Sequence, residues 1–546
     1  MTGPDVGNDR TWMSTKSAVN TCDKLALCVG HGLAMQERNR EKPTDCEFGY
    51  HATHPIAFWS LRRSFRSPLA GFPRRHEVSN FPQPIRYASR SSPLPSGLNF
   101  TSPLSSVYAI LLLMPPTRRE YIASGALAAA ALGANDSIRV GVIGCGGRAR
   151  SLLGLFQKDP SFRVVAVCDV DRRRLEETRA SLSPPPHMYS DFRRLLERND
   201  IHAVIVATPD HWHAIPALHA LRAGKDVYLE KPIGHTVEEG AVLIAEAERS
   251  GRLLEVGLQQ RSGTLFTEAA RVIREGALGK ISLVHCLNVW NQSESGNLDY
   301  TILRPAHSRT HGLGCPPDGE APQGVDYDFW LGPAPKRRFN PNRFHWNYLY
   351  FWDYSGGMVI TWGIHMLDSV RQLLGLGWPK AVSASGGRYV LDDMRETPDT
   401  LAVAFDYPNL TVTCSVQHAN AFSWGNPRMD HGIQILGTQG TMLLTREGYR
   451  IVPEGENTHS IESTGGLDAG DGTHQQRFLE SVRSRKPPVC GIREGHISTA
   501  SLQLANISYR TGRKVFWDEA RQQITGDSGA SRYLTKEYRK PWSLTS

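Results

Sequence analysis

Two stretches decide the fold: Ile138-Arg-Val-Gly-Val-Ile-Gly-Cys-Gly-Gly-Arg-Ala149 and Asp226-Val-Tyr-Leu-Glu-Lys-Pro232. Val140, Val142 and Ile143 form the short β-branched run of a buried parallel strand. Gly144 permits the tight turn out of it. Gly146 lets the backbone approach a pyrophosphate, and Ala149 is small enough for a helix to pack closely on the strand. The helix that follows points its first N–H groups at the phosphates, with Cys145, Gly147 and Arg148 completing the turn. A second strand, Arg163–Asp169, ends in an acid 20 residues after Ala149, the spacing at which a carboxylate meets ribose hydroxyls. Asp169 favours NAD over NADP, and Arg172, Arg173 and Arg174 weaken that preference, so NADP stays open and Arg173 joins the candidate cofactor residues.

Outward from this turn, strands and helices alternate. Asp191–Arg198 reads as a short helix and Ala203–Thr208 as a buried strand. That strand delivers Thr208-Pro209-Asp210-His211-Trp212-His213 at the carboxyl end, where open α/β sheets bind ligands. Thr208, Pro209 and His213 are therefore cofactor-binding candidates, with Glu230 and Lys231 at the end of the next strand. Thr236–Ser250 reads as a helix with Thr236 and Glu239 as a capping box, and Leu253–Leu258 as a further strand. The fold class is α/β: a doubly wound nucleotide domain over 137–258, then an α+β domain over 259–520 and a tail over 521–546. In the second domain Ile281–Trp290 reads as a long strand, residues 291–355 as an irregular region dense in Pro, Gly and aromatics, and Val359–Leu374 as one helix. Strand-like runs at Ala381–Val390, Leu401–Asp406, Leu410–Gln417, Gly432–Leu436 and Thr441–Leu444 predict an open, mostly antiparallel sheet. Thr473–Ser484 and Gly495–Thr511 read as closing helices.

The 546 residues carry a net charge of +8, unevenly placed: residues 1–113 contribute +5 and the remainder +3. A near-neutral body with a basic leader gives no reason to expect nucleic acid. Nine scattered cysteines show no metal-ligand spacing and suggest neither a disulfide framework nor a metal site. Residues 1–113 lack sustained periodicity and read as a disordered leader. Residues 114–134, with Arg118-Arg119 before an alanine-rich run, look like a twin-arginine export signal. The expectation is that synthesis starts at Met114 and that the product is periplasmic, or cytoplasmic if the signal is masked. The apolar run is too short for a stable membrane anchor.

The glycine turn, the Ala-Thr-Pro-Asp-His-Trp-His segment, Glu230-Lys231-Pro232 and Gly356-Gly357…Gly363-Ile-His365-Met-Leu-Asp368 resemble the glucose–fructose oxidoreductase, inositol dehydrogenase and rhizopine catabolism (Gfo/Idh/MocA) family, over about residues 137–520. The resemblance implies a Rossmann domain and a C-terminal α+β domain whose open sheet forms the substrate wall and a homo-oligomer interface. It also implies that Lys231 and His365 bind the reacting hydroxyl, with the histidine often taken as base. One position departs: the family often has an acid four residues before this histidine, and here it is Thr361, with Asp353 and Asp368 as candidate substitutes.

His311, Asn347, Tyr350 and Trp352 are substrate-contact candidates by residing in the irregular region. Three functions are carried forward. The first is an NAD(P)-dependent oxidoreductase acting on a sugar, polyol or glycoside. The second is a glycoside hydrolase or lyase that uses NAD transiently, and the third is a non-catalytic sugar- or cofactor-binding relative.

Overall fold

The computed structural model describes residues 137–292, 313–420, 431–455, 460–464 and 472–545; the leader and export-signal readings, and His311, lie outside them. Six parallel strands build the nucleotide half: β1 (Ile138–Ile143), β2 (Phe162–Cys168), β3 (His187–Tyr189), β4 (Ala203–Val206), β5 (Asp226–Leu229) and β6 (Leu254–Val256). Their order is β3-β2-β1-β4-β5-β6, so the sheet turns both ways from β1 and opens its ligand crevice beside β4. The helices here are α1 (Gly147–Phe156), α2 (Arg172–Ala180), α3 (Phe192–Leu196), α4 (Ala214–Arg222) and α5 (Val237–Ser250). At the start of α5 the Glu239 carboxylate reaches back to the N–H of Thr236, the expected half of the capping box. One face of the sheet packs Val140, Val142 and Ile205 against Leu152 and Phe156 of α1. That core is completed by Phe478, Leu479 and Val482 of a helix more than 300 residues downstream, described below.

The second half adds α6 (Thr264–Arg274), β7 (Ile281–Val289), α7 (Tyr327–Leu331), α8 (Met358–Thr361) and α9 (Gly363–Leu374). Then come β8 (Ala381–Gly387), β9 (Thr400–Asp406), β10 (Thr411–Gln417), β11 (His431–Gly437), β12 (Gly440–Leu444), β13 (Gly448–Pro453) and β14 (Ile461–Thr464). The closing elements are α10 (Thr473–Ser484), α11 (Ile492–Thr511), β15 (Val515–Asp518), β16 (Gln523–Thr525) and α12 (Ser528–Ser531). Ten strands pair in the order β14-β13-β12-β11-β7-β10-β9-β8-β15-β16; β7 and β10 are parallel and the other pairs antiparallel. Alternation such as Val412, Cys414 and Val416 buried between half-exposed neighbours shows that one face is packed and the other open.

One reading of the sequence is corrected, and two others gain a place in the fold. The single helix over Val359–Leu374 is two, broken at Trp362. The irregular region is partly a wall of the nucleotide cleft: Asp171 forms a bridge with Val325, and α7 lies against Trp212. The C-terminal tail, residues 521–546, packs back on the nucleotide half. Trp542 packs on Trp212 with ring centroids 4.7 Å apart, Arg539 donates to the Gly332 carbonyl, and Arg222 donates to that of Leu544.

At the junction of the halves, Glu255 of β6 and His474 of α10 are fully buried, 3.4 Å apart. The His474 Nε2 donates to the Val256 carbonyl, leaving Nδ1 toward Ser262 Oγ and the Glu255 carboxyl. Burial pushes Glu255 up to about 8 and His474 down to about 4, so the pair rests neutral at pH 7.

Candidate active site

The glycine turn adopts the conformation its residues foretell. Gly144 sits at φ +91°, and a Cβ there would lie 2.6 Å from the Ala207 carbonyl oxygen. A Cβ on Gly147 would meet the indole of Trp346 at 3.1 Å. Between the turn and Trp346 opens a cleft lined by Gly144, Gly146, Gly147, Arg148, Asp169, Thr208 and Pro209 among others. Thr208 Oγ1 is buried there without a hydrogen-bond partner. A backbone cradle free of Cβ atoms, an unpartnered hydroxyl and an acid at the end of β2 fit a dinucleotide.

Asp169 accepts from the N–H groups of Cys145 at 2.6 Å and Asp171 at 2.9 Å, which fixes its carboxylate at the turn. Burial raises its pKa, against the pull of those N–H groups and of Arg174. Cys145 faces inward, its thiol donating to the Cys168 carbonyl, and burial pushes that thiol well above the usual range. Arg173 does not reach the cleft: it pairs with Glu177 on the solvent side of α2. Arg174 does, lying over Gly146. The signal for Arg174 was its place three residues after the helix cap Asp171, on the turn-facing side.

His213 does not line the cleft; its two ring nitrogens face the carbonyls of Thr208 and Pro232 and tie the ends of β4 and β5 together. Arg148 reaches Glu230 at 2.7 Å, a pair that joins the glycine turn to the end of β5. Glu230 is thus a tether, and its neighbour Lys231 points its ammonium elsewhere.

Lys231 Nζ donates to the Thr361 carbonyl at 2.8 Å. That carbonyl is available because the helix breaks: the His365 N–H bonds to Trp362 O instead. The Thr361 hydroxyl donates to Gly357 O and so cannot orient an imidazole. Neither proposed substitute does so. Asp368 is locked by Arg261 and Ser498, and Asp353 by Arg337. His365 is 5% exposed, with Nδ1 lacking a hydrogen-bond partner. Burial, then the charges of Lys231, Arg446 and Arg148, push its pKa well below the ordinary value, so it is neutral at pH 7. Burial likewise lowers Lys231, opposed by Glu230 and Asp210. Trp362 stands edge-on to His365 at 5.7 Å, and Arg446 lies over the Trp362 ring at 4.8 Å.

Sequence reasoning missed two further groups. The Tyr348 hydroxyl, on the cleft wall, donates to Asp210 at 2.8 Å, and Ser355 donates to the other carboxylate oxygen. No spacing could reveal a pair 138 residues apart. Of the irregular-region candidates, Asn347 is buried against Asn342, and Tyr350 is buried beneath Arg395 with its hydroxyl accepting from Gln292. Trp352 lines a separate cavity. Among the described residues no group of metal-ligating side chains forms a metal site, and no helix is long and apolar enough to cross a membrane.

Two family models match: one described as an oxidoreductase family, NAD-binding Rossmann fold, over residues 138–258, and one as its C-terminal alpha/beta domain, over 312–385 and 468–544. Over 272 residues the chain is 32% identical to a 1-carboxy-3-chloro-3,4-dihydroxycyclohexa-1,5-diene dehydrogenase of Comamonas testosteroni, covering 50% of this chain and 55% of that protein. Over 127 residues it is 39% identical to a glycosyl hydrolase family 109 protein of Saccharopolyspora erythraea, covering 22% of this chain and 28% of that protein. The chain thus spans between about a quarter and just over half the length of these curated relatives. The WlbA dehydrogenase of Bordetella pertussis, solved with NADH and UDP-GlcNAcA, shares the fold: TM-score 0.53 at 19% identity, over 71% of this chain and 99% of that one.

Proposed function

The chain belongs to the Gfo/Idh/MocA oxidoreductase family, and from that premise we propose that it moves hydride between NAD and a secondary hydroxyl of a sugar, polyol or glycoside. The observation that carries this reading is Lys231, held by the Thr361 carbonyl at the ligand end of the sheet, beside a neutral His365 with a buried ring nitrogen that has no hydrogen-bond partner.

Gly144, Gly146, Gly147, Asp169, Arg174 and Thr208 would hold the dinucleotide, which supplies a hydride acceptor when bound. Lys231 keeps two N–H donors after satisfying Thr361, enough to grip a hydroxyl oxygen and stabilise it as its proton leaves. The unpartnered Nδ1 of His365 can receive that proton. With no carboxylate behind it and cations around it, the imidazolium is short-lived, so the proton must pass on quickly.

The test is a hydride-exchange screen on glycosides and polyols with the NAD-loaded protein. Lys231→Ala should lose about 10²–10⁴ in rate while keeping NADH affinity; unchanged exchange in that variant would sink the assignment.

A redox-neutral cycle is the second reading: oxidation at C3, elimination at C1, and return of the hydride. Thr361 favours it, because a site that cannot store the proton suits a reaction that gives it back. The family 109 relative also supports it. Net NADH decides: the dehydrogenase accumulates it and the lyase does not.

We also read residues 114–134 as an export signal for a folded periplasmic protein, checked by intact mass of the natively expressed product, and the open face of the ten-stranded sheet as a homo-oligomer interface, checked by light scattering.

A further inference from the structure

In the nucleotide sheet β1 lies between β2 and β4, and its carboxyl end carries the glycine turn. One segment of the irregular region, residues 324–348, is tied to both flanking strands. On the β2 side the Gly324 carbonyl accepts from the Arg172 N–H, Val325 bridges to Asp171, and the Asp326 N–H donates to the Val170 carbonyl at 2.9 Å. On the β4 side the Trp330 carbonyl accepts from the Trp212 indole N–H at 2.8 Å, and the Tyr348 hydroxyl donates to Asp210 at 2.8 Å. The segment is therefore a strap across the end of β1, where a pyrophosphate would meet the turn.

What the strap lowers onto the turn is Trp346, whose indole meets Gly147 closely enough that a Cβ there would lie 3.1 Å from the ring. Tryptophan is highly buried on average, yet Trp346 is 45% exposed at the cleft wall. Among the described residues its indole makes no hydrogen bond and stacks on no other ring. Its backbone is nevertheless held firmly. His345, one residue before, sits at φ +57° and bonds Asp171 at 3.0 Å. Asp171 is buried, caps α2, and donates its own N–H to Asp169, the acid placed for the ribose. A strained residue, fixed by a buried acid, thus presents an uncovered apolar ring to the cleft, and the ring lacks its other half.

We propose that Trp346 is a clamp on the bound dinucleotide: the indole closes on the cofactor beside the glycine turn, and the strap, tied on both sides, keeps the cofactor in place from one turnover to the next. The ring's missing half is then the cofactor itself. Release requires the indole to leave the turn, and the bond from His345 to Asp171 opposes that movement. The clamp rests on the dinucleotide-binding part of the function proposed above, not on which hydroxyl is oxidised.

The probe is NADH, bound to the full chain and displaced by excess NAD in a stopped-flow fluorimeter. The wild-type protein should release it more slowly than a typical turnover of about 10 per second. Trp346→Ala should speed release about tenfold, and Trp346→Phe, which keeps a ring, by less. His345→Gly, which keeps the backbone shape but loses the bond to Asp171, should speed it about fivefold. Because the indole is half in water, Trp346→Ala should melt within about 2 °C of the wild type. Release from Trp346→Ala at the wild-type rate would overturn the clamp. So would faster release that comes with a large fall in melting temperature, the mark of a residue that only holds the wall. A wild-type protein that takes up no NADH, or sheds it faster than about 10 per second, overturns it too. Slow release that Trp346→Ala abolishes, with no hydride exchange on any sugar, would leave the clamp standing and sink the hydride-transfer reading.

Discussion

Gly144 leaves β1 with a left-handed backbone and a carbonyl in the space where a side chain would go. Gly144→Ala should therefore cost about 2 kcal/mol or more and abolish NADH fluorescence enhancement, a loss a calorimetric melt and a titration would register together. His345, a non-glycine residue at φ +57°, holds a second strained turn; its ring nitrogen bonds Asp171 at 3.0 Å. The next residue is Trp346, over Gly147. Strain here serves to aim the indole at the glycine turn. Glu255 offers a test by pH. Its folded pKa, about 8, lies above the ordinary 4.5, so the folded state holds a proton that the unfolded state releases. Glu255 alone contributes stability that falls as pH rises from about 4.5 to about 8. His474, lowered from 6.5 to about 4, contributes a rise up to about 6.5, so the net fall from the pair should come between about 6.5 and 8. Glu255→Gln, a neutral mimic, should flatten that slope in denaturant melts; an unchanged slope would mean the carboxyl is ionised in the fold.

Among the elements, the break between α8 and α9 does the most for the site. It frees the Thr361 carbonyl for Lys231 and turns His365 inward. Thr361→Asp would set a carboxylate beside both groups. The His365 imidazole should then titrate at higher pH, seen by NMR, because the acid opposes the surrounding cations. The sequence carried most of the nucleotide half, since its strands are continuous apolar runs ended by Gly, Pro or Asp. It carried β7 to β12 within a residue or three, because one face alternates cleanly. The helix break was not legible: Val359–Leu374 keeps a helical period across it, and nothing local marks Trp362 as the point where it parts. The α6 helix was legible but read past, with Leu265, Phe266, Ala269 and Ala270 on one face. Lys231 and His365 were named from motifs. Tyr348, Asp210 and Arg174 needed the fold, because a hydrogen bond across 138 residues leaves no local pattern.

Across the whole molecule, residues 532–544 bind the nucleotide half from outside. Trp542 packs among Phe192, Trp212 and Phe329, three residues that also line the cleft. Lys536 and Tyr538 both meet the buried Glu239 carboxylate, at 2.8 and 2.6 Å. Trp542→Ala should cost about 3–5 kcal/mol and weaken NADH binding although the residue lies outside the cleft; a lowered melting temperature with unaltered NADH affinity would show that the wall is rigid without it. The same segment bears on how the protein is made. Arg222 pairs with Glu246 nearby, but the Leu544 carbonyl that it also meets lies 322 residues later in the chain. At about 5–20 residues per second the ribosome needs roughly 15–60 s to supply it. For that interval the nascent nucleotide half carries an uncovered aromatic seam, which makes it a client for holding chaperones until translation finishes.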